Sequence, residues 1–253
     1  SKKATYQKKN TKKNETQYEM LKKLELKNEN YFELKKFCKK INIEFISSVF
    51  DEESVNFLSK KLKTKYIKVP SGEINNYPLL VQLQKTKSKI ILSTGMSNLK
   101  EIVLSLNIIA NNEIYKFVNK KKVIIKNKKL HNKFKKNICI LHCVTDYPVE
   151  NKYANLSAIE NLKKNLDLRI GYSDHTLGIL APLIAVSKGA KIIEKHFTLN
   201  NNMPGPDHKA SLEPNEFKKM VDYLRIFEVM NGNGQKKLQK SELKNINIAR
   251  KSI

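Results

Sequence analysis

Short apolar runs rich in β-branched residues alternate along this chain with longer stretches in which apolar residues recur at helical spacing. The apolar runs have the length and composition of buried strands, and they occupy residues 44–50, 66–70, 89–93, 137–143, 168–172 and 191–197. The helical spacing predicts helices at residues 31–40, 52–61, 77–86, 98–109, 155–165, 178–188 and 215–230. A strand that leads into a helix, repeated along a chain, indicates βα units around a parallel sheet.

Other segments depart from this rhythm. Residues 1–30 are polar and rich in Lys and Asn, and we expect a loosely ordered entry segment with one helical patch at 18–24. Residues 111–136 are longer than a βα connection needs, and we interpret them as a Lys/Asn-rich surface insertion. The sequence therefore predicts one βα domain over residues 31–235, followed by a linker at 236–253 toward a further domain.

The formal net charge of +25 raises the hypothesis of a nucleic-acid or membrane partner. Only Arg169, Arg225 and Arg250 among the 49 basic residues are arginines, whereas recognition of base edges favours the guanidinium group. Lys and Asn are enriched together throughout, which favours a compositional bias at surface positions. We therefore predict no nucleic-acid partner, and we expect the positive field to attract anionic substrates.

Cysteine content and hydropathy bear on the compartment. Cys38, Cys139 and Cys143 form neither an even disulfide set nor a metal-ligand spacing, which favours a reducing, cytoplasmic compartment. No stretch approaches the roughly eighteen apolar residues that a transmembrane helix needs, so the sequence predicts a soluble protein without a membrane partner.

Polar residues collect at the carboxyl ends of the predicted strands, where the loops of a parallel barrel converge on an active site. Each such residue on its own is also what helix caps and turns use. Their recurrence at every predicted strand end favours one shared site instead. They are Ser47 and Ser48, Ser71 and Glu73, Ser93 and Thr94, and residues 145–147, 173–176 and 194–196.

His175 and His196 follow two adjacent predicted strands, so both imidazoles could reach one point. Two histidines with open positions for water and substrate oxygen suit a divalent cation such as Mn²⁺. Single histidines are more often structural: we interpret His142, inside an apolar run, as a core residue and His131, in the insertion, as solvated. The carboxylates that could support the pair as outer partners are Asp174, Glu194 and Asp207.

A cation, a hydroxyl and a carboxylate lie within six residues where the second predicted strand ends: Lys68, Ser71 and Glu73. Together with the turn at Gly72, which can expose backbone N–H groups, they could hold an anion and supply a base. The alternative is a solvated lysine followed by a helix-capping serine, and the spacing alone leaves both open. Residues 205–208 carry a similar ambiguity between a site loop and a simple turn.

Seven short motifs occur in a characteristic order along the chain. They are FISSVF at 45–50, KVPSGE at 68–73, STGM at 93–96, GYSDHT at 171–176, EKHF at 194–197, GPD at 205–207 and SLEP at 211–214. In this order they closely resemble the N-acetylneuraminate (sialic acid) synthases and their legionaminate and pseudaminate relatives. The resemblance extends from about residue 6 to 253, apart from the insertion.

The resemblance implies a TIM-type (β/α)₈ barrel that joins C3 of phosphoenolpyruvate to an open-chain N-acetylated amino-sugar aldehyde, N-acetylmannosamine or a relative. The products would be a nonulosonic acid and phosphate, and the cofactor a divalent metal, Mn²⁺ or Mg²⁺. His175 and His196 would bind the metal, while Glu73 would activate water or transfer a proton. The implied phosphoenolpyruvate contacts are Lys68, Ser71, Ser93, Ser173, Ser48 and Thr145, and the implied sugar contacts are Tyr147 and Asp207.

The chain departs from the family pattern in several places. The first two strands of the family, one with an acidic residue and one with a Lys-x-Gln pair, are missing, so that six βα units are expected and six strands cannot close an eight-stranded barrel. Ser48 stands where threonine is usual. The antifreeze-like C-terminal domain, which helps complete the site of a dimer partner, is also missing. An active enzyme, homodimeric in its complete form, and a truncated non-catalytic remnant that acts as an interaction partner both remain open.

Overall fold

The computed structural model describes residues 3, 5–11, 15–119 and 122–251. Within them, five parallel strands form one curled sheet, half of a barrel, in the order β1-β2-β5-β6-β7. These strands are β1 (Tyr66–Val69), β2 (Lys89–Ser93), β5 (Ile138–Cys143), β6 (Arg169–Asp174) and β7 (Ile193–Lys195). Strands β3 (Tyr115–Phe117) and β4 (Val123–Ile125) pair with each other as a separate antiparallel hairpin. The α/β class expected from the sequence is confirmed.

Helices connect the parallel strands at the predicted places, with boundaries shifted by a few residues. Local signals explain several ends: Asn98 and Glu101 form a capping box at the start of α6, and Asp51 caps the first turn of α4. A π-helical turn, Phe57–Lys61, extends α4. The helices are α1 (Thr5–Asn10), α2 (Gln17–Lys22), α3 (Asn28–Lys40), α4 (Glu52–Asn56), α5 (Tyr77–Gln84), α6 (Leu99–Ile109), α7 (Lys128–Phe134), α8 (Ala158–Leu166), α9 (Leu180–Ser187), α10 (Pro214–Asn231) and α11 (Ile246–Ala249).

Side chains alternate between the two faces of the sheet, as they must in a strand. One face packs against the helices in the large hydrophobic core, which includes Val69, Leu92 and Ile140. The opposite, concave face carries a smaller apolar cluster that includes Ile91 and Leu141. The concave face is therefore apolar in the middle of the strands, and polar side chains follow toward the carboxyl ends.

The first predicted strand, at residues 44–50, is wrong in extent. Among the residues that the structure describes, only one parallel bridge forms there, between Ser48 and Lys68. The amide of Val49 donates to the carbonyl oxygen of Lys68 over 3.0 Å, and the amide of Lys68 donates to that of Ser47 over 3.0 Å. Ile46, beside this bridge, remains 43% exposed, so this segment lies along the edge of β1 without forming a full strand.

The 111–136 segment is more than a surface insertion, although residues 120 and 121 lie outside the described ones. It contains the β3–β4 hairpin and α7, and Tyr115 and His131 are each 1% exposed. The Tyr115 hydroxyl donates to the carbonyl oxygen of Leu166 over 3.0 Å, and Nε2 of His131 lies 3.1 Å from the same oxygen. The expectation that His131 is solvated is wrong, because this carbonyl at the end of α8 satisfies its buried ring.

The entry segment forms α1 and α2 where it is described, and Met20 is buried. Residues 1, 2, 4 and 12–14 of the predicted entry segment lie outside the described ones. In the part of the chain that the structure describes, no helix combines the length and apolar character that crossing a bilayer requires.

Candidate active site

The polar row on the concave face is set by strand register. Cys143, Ser173 and Glu194 are aligned across β5, β6 and β7. The Ser173 hydroxyl donates to Oε1 of Glu194 over 2.6 Å, and Nζ of Lys68 lies 3.4 Å from the same oxygen. Lys68 and Ser173 are both buried. A cation, a hydroxyl and a carboxylate thus converge inside the half-barrel, although they come from distant parts of the sequence.

Three loops meet closely above this row. The amide of Gly95 donates to Oγ of Ser71 over 3.0 Å. A Cβ atom at position 95 would lie only 2.2 Å from Oγ1 of Thr145 and 2.8 Å from Oγ of Ser71. Glycine is therefore required for the loops after β1, β2 and β5 to approach one another.

Two hydroxyls in this region are buried without a partner. Among the described residues, Oγ of Ser93 and Oγ1 of Thr145 accept and donate no hydrogen bond. A buried hydroxyl that stays unpaired costs free energy, and such groups in a folded protein call for an explanation. Both atoms lie where the sequence predicts contacts to an anionic substrate, which would satisfy them.

His175 and His196 come together with Tyr147 at the ends of β6 and β7. The centroids of the two imidazoles are 5.4 Å apart, and the Tyr147 ring lies 4.1 Å from that of His175 and 5.6 Å from that of His196. Nδ1 of His175 lies 2.7 Å from the carbonyl oxygen of Val144. Since a carbonyl can only accept, Nδ1 carries the proton and the Nε2 lone pair of His175 is available for a ligand.

Burial controls the protonation of His175. It lowers the pKa of the imidazole, against the hydrogen bond to Val144, which raises it. The neutral form that a metal ligand requires is therefore favoured. Among the described residues, no group of three or more His, Cys, Asp or Glu side chains is arranged around one point, so a cation held here would take its other ligands from water or substrate.

Asp207 approaches the pair from the loop after β7. Its Oδ2 lies 4.0 Å from Nδ1 of His196, and its Oδ1 is buried without a hydrogen bond among the described residues. The Asn201 side chain holds this loop by donating to the carbonyl oxygens of His208 and Ser211, each over 2.8 Å. The loop is thus fixed, and it presents a carboxylate beside the histidines.

Two predicted site residues are less closely assembled. Glu73 lies in the 3₁₀ turn Ser71–Glu73, half-buried, and its Oε2 accepts a hydrogen bond of 2.7 Å from the Asn76 amide, which caps α5. Ser48 is exposed at the edge of β1. The structure brings the remaining predicted site residues to one end of the sheet: Lys68, Ser71, Ser93, Thr145, Tyr147, Ser173, His175, His196 and Asp207.

The comparison with known families decides the family. The model of the NeuB family matches residues 1–236. This chain belongs to the NeuB family. The resemblance found in the sequence motifs is thereby confirmed.

Several proteins similar to this NeuB chain have names that describe sugar-acid synthesis. It is 47% identical to N,N'-diacetyllegionaminic acid synthase of Campylobacter jejuni over 100% of the chain and 70% of that protein. It is 41% identical to the protein of the same name from Legionella pneumophila, over 99% of the chain and 65% of that protein. The crystal structure of N-acetylneuraminic acid synthetase from Leptospira borgpetersenii is similar with a TM-score of 0.76 and 33% identity, covering 90% of this chain and 72% of that one.

The NeuB site contains residues that sequence reasoning missed or misplaced. Cys143 lies in the polar row, with Sγ 3.9 Å from Nδ1 of His175. Burial raises the pKa of the Cys143 thiol, and hydrogen bonds with the Ser71 and Ser173 hydroxyls act in the opposite direction without cancelling the rise. Asp174, expected to support a histidine, points to the opposite face of the sheet and pairs with Lys195. The alternation of β6 could have indicated this, since neighbouring residues on a strand face opposite sides.

Proposed function

We propose that this chain carries the phosphoenolpyruvate and metal site of a nonulosonic acid synthase. The reaction would join phosphoenolpyruvate to an open-chain N-acetylated amino-sugar aldehyde, N-acetylmannosamine or a relative. The observation that carries the proposal is the convergence of Lys68 and Ser173 with the two imidazoles at one end of the sheet. The names of the similar proteins supply the product class. For the fold, we propose an eight-stranded (β/α)₈ barrel of which the curled sheet forms one side.

Anion binding is the first task of the proposed site. Lys68 supplies a buried positive charge, and its interaction with a phosphate or carboxylate would be stronger there than in water. The Ser71, Ser93 and Ser173 hydroxyls border the same space and would donate to the anion's oxygens. The hydroxyls of Ser93 and Thr145, which have no hydrogen-bond partner in the described part of the chain, support this assignment, since an anion would give both a partner.

A divalent cation fits the donors at the histidine pair. Nε2 of His175 has a free lone pair because Nδ1 is engaged by Val144, which is the arrangement that orients histidine ligands in metal sites. His196 lies alongside, with Oδ2 of Asp207 4.0 Å from its Nδ1. When bound, Mn²⁺ or Mg²⁺ would polarise the oxygen of the sugar aldehyde.

The chain's own residues would direct the bond changes. C3 of phosphoenolpyruvate would attack the aldehyde carbon, and the former aldehyde oxygen would take up a proton to become a hydroxyl. Water would add to C2, and the bond from C2 to the bridging oxygen would break as the C2 carbonyl forms, so that phosphate leaves with that oxygen. Glu73 would accept the proton of that water, and the amide of Asn76 fixes its orientation. Tyr147 and Asp207 border the histidine pair, where they could contact the sugar.

Binding and turnover can be tested separately on the chain. Titration calorimetry with phosphoenolpyruvate is expected to show binding that Lys68→Met abolishes and Lys65→Met preserves, because Lys65 is an exposed lysine just before β1. Phosphate release should require Mn²⁺ together with N-acetylmannosamine or the aldehyde precursor of N,N'-diacetyllegionaminic acid.

Specific outcomes would contradict this proposal. If the folded chain binds no phosphoenolpyruvate, the proposed anion site is wrong. Full phosphate release in excess chelator removes the metal from the reaction. A chain that binds phosphoenolpyruvate and Mn²⁺ but releases no phosphate with any amino sugar supports the remnant alternative instead.

A further inference from the structure

Two charged side chains are buried as a pair on the sheet face opposite the histidines. Nζ of Lys195 lies 2.7 Å from Oδ2 of Asp174, and the two side chains are 1% and 0% exposed. Nζ of Lys195 also donates to the carbonyl oxygen of Thr176. Oδ1 of Asp174 accepts hydrogen bonds from the Tyr172 hydroxyl at 3.0 Å and from the Thr176 amide and hydroxyl at 2.9 and 2.8 Å. Both charges are therefore neutralised and hydrogen-bonded away from water.

The pair connects the two strands at the last position before the histidines. Asp174 and Lys195 are register partners on β6 and β7. His175 and His196 are the next residues along the chain, and alternation directs them to the concave face. Any shift of one strand end relative to the other would break the ion pair and change the 5.4 Å separation of the imidazole centroids.

Backbone hydrogen bonds hold the same segments from their outer sides. The Val149 amide donates to the carbonyl oxygen of His175 over 2.9 Å, and the Leu212 amide donates to that of His196 over 2.9 Å. These bonds attach each histidine to its own neighbouring loop. Of the side-chain contacts at these strand ends, the Asp174–Lys195 pair directly links β6 to β7 behind the histidines.

Stability alone is a poor explanation for such a pair. The cost of removing two charges from water offsets most of their attraction, and apolar replacements of similar size are often equally stable. Its geometric effect is different, because a saturated ion pair tolerates few other arrangements of the two strand ends. The structure therefore favours a role in geometry over a role in overall stability.

We propose that Asp174 and Lys195 are positioning residues that hold His175 and His196 at the spacing a divalent cation requires. This inference rests on the metal site of the proposed function. The pair acts through the strand ends and does not touch the imidazoles. Outer residues that orient metal ligands typically change metal affinity by about 10–100-fold when they are substituted.

Mn²⁺ affinity of the full chain, measured by calorimetry, tests the inference without turnover. Asp174→Asn and Lys195→Met are each expected to weaken Mn²⁺ binding by about 10–100-fold. The double variant should weaken it no further, because the two residues act as one unit. Lys188→Met is the matched control: it removes a lysine at the end of α9 whose ion pair with Glu160 in α8 is partly exposed to solvent, and it should leave the affinity unchanged.

Urea unfolding followed by circular dichroism separates positioning from folding. The double variant leaves neither charge buried alone, so it should fold even where Lys195→Met is strongly destabilised. Electron spin echo spectroscopy of bound Mn²⁺ should detect two imidazole nitrogens in the wild type and fewer in the folded double variant. If the folded double variant binds Mn²⁺ as tightly as the wild type, this inference is overturned, while the proposed function is not. A folded wild type that binds no Mn²⁺ overturns the metal site of the proposed function and this inference with it.

Discussion

Ser173 donates a hydrogen bond of 2.6 Å to Glu194, whose same carboxylate oxygen lies 3.4 Å from Nζ of Lys68. Two of the groups proposed to bind an anion, Lys68 and Ser173, are thus engaged by a carboxylate of the chain itself. The Glu194 side chain is 41% exposed, so it has room to move. An anionic substrate must either displace Glu194 from these partners or bind next to its negative charge.

Glu194→Gln should therefore strengthen phosphoenolpyruvate binding. The amide can still accept from Ser173, while the repulsion between two negative groups disappears. We expect the affinity to rise about fivefold, which corresponds to about 1 kcal/mol, and the gain should shrink at high ionic strength. Calorimetric titration in low and high salt measures both effects. Glu160→Gln, at an exposed glutamate, is the control, and an unchanged or lower affinity in Glu194→Gln would contradict the prediction.

Glu73→Gln should separate binding from turnover. The amide is nearly isosteric and can still accept from Asn76, so the loop that carries Ser71 should keep its shape. A base that acts mainly in the transition state affects rate more than affinity, and its loss typically costs about 100-fold or more. Phosphate-release kinetics beside phosphoenolpyruvate titration would test this, with Glu53→Gln in α4 as the control. Equal turnover in the wild type and in Glu73→Gln would contradict a catalytic role, and the hydrogen bond with Asn76 at the start of α5 would be the remaining role of Glu73.

Gly95→Ala should damage the anion site, whereas Gly72→Ala should not. The new methyl group at position 95 would collide with Thr145 and Ser71, but at position 72 no atom of the described residues, apart from the two chain neighbours, lies within 4 Å. Overpacking of this kind typically costs about 1–3 kcal/mol, and we expect phosphoenolpyruvate affinity to fall by at least about tenfold. Urea unfolding and calorimetry on the two variants test the contrast. Identical behaviour of both would show that the three loops can separate without loss.

His142 should make the protein less stable as the pH falls. Burial lowers the pKa of its imidazole, against hydrogen bonds with the backbone of Ala154 and Asn155, which raise it. Below about pH 6.5 the imidazole of His142 is protonated in the unfolded chain. In the folded chain it stays neutral until the pH falls to its lowered pKa. Stability is therefore retained above pH 6.5 and lost between these two pKa values.

His142→Gln is the variant that tests this titration. Its side chain can still donate to the carbonyl oxygen of Ala154 but cannot titrate. The free energy of unfolding, measured between pH 7.5 and 5.5, should decline less steeply in the variant, by up to about 1.4 kcal/mol per pH unit. A residual slope is expected from His175, whose pKa burial also lowers. Parallel slopes in the two proteins would mean that His142 titrates normally.

Strands β1, β2, β5, β6 and β7 could be predicted from sequence because each overlaps a short run of mainly apolar residues that polar residues follow. The same rule failed at residues 44–50, where the apolar pattern is present but only residues 47–49 reach β1. The local pattern of apolar and polar residues indicates which side chains can be buried. It does not indicate how far a neighbouring strand extends.

The candidate site also contains features that the sequence predicts and features that it does not. His175, His196 and Lys68 could be proposed from their places at strand ends and from family motifs. The contact between Glu194 and Lys68 could not, because it joins residues far apart in sequence through the register of a curled sheet. The burial of His131 was missed for a similar reason: its partner is a backbone carbonyl in another helix, which no side-chain pattern reveals.

The shared hydrogen-bond acceptor of Tyr115 and His131 has a consequence for the mutational tolerance of the chain. Both rings are attached to the carbonyl oxygen of Leu166, at the amino end of β6 and thus opposite the proposed site. We therefore expect substitutions at exposed positions between Tyr115 and His131 to leave the spacing of the strands' carboxyl ends unchanged. A library randomised at exposed hairpin positions should remain folded and keep its ligand affinity, whereas one randomised at the two anchors should lose its fold; the exposed positions are Lys116, Val118, Lys122, Ile124 and Lys126.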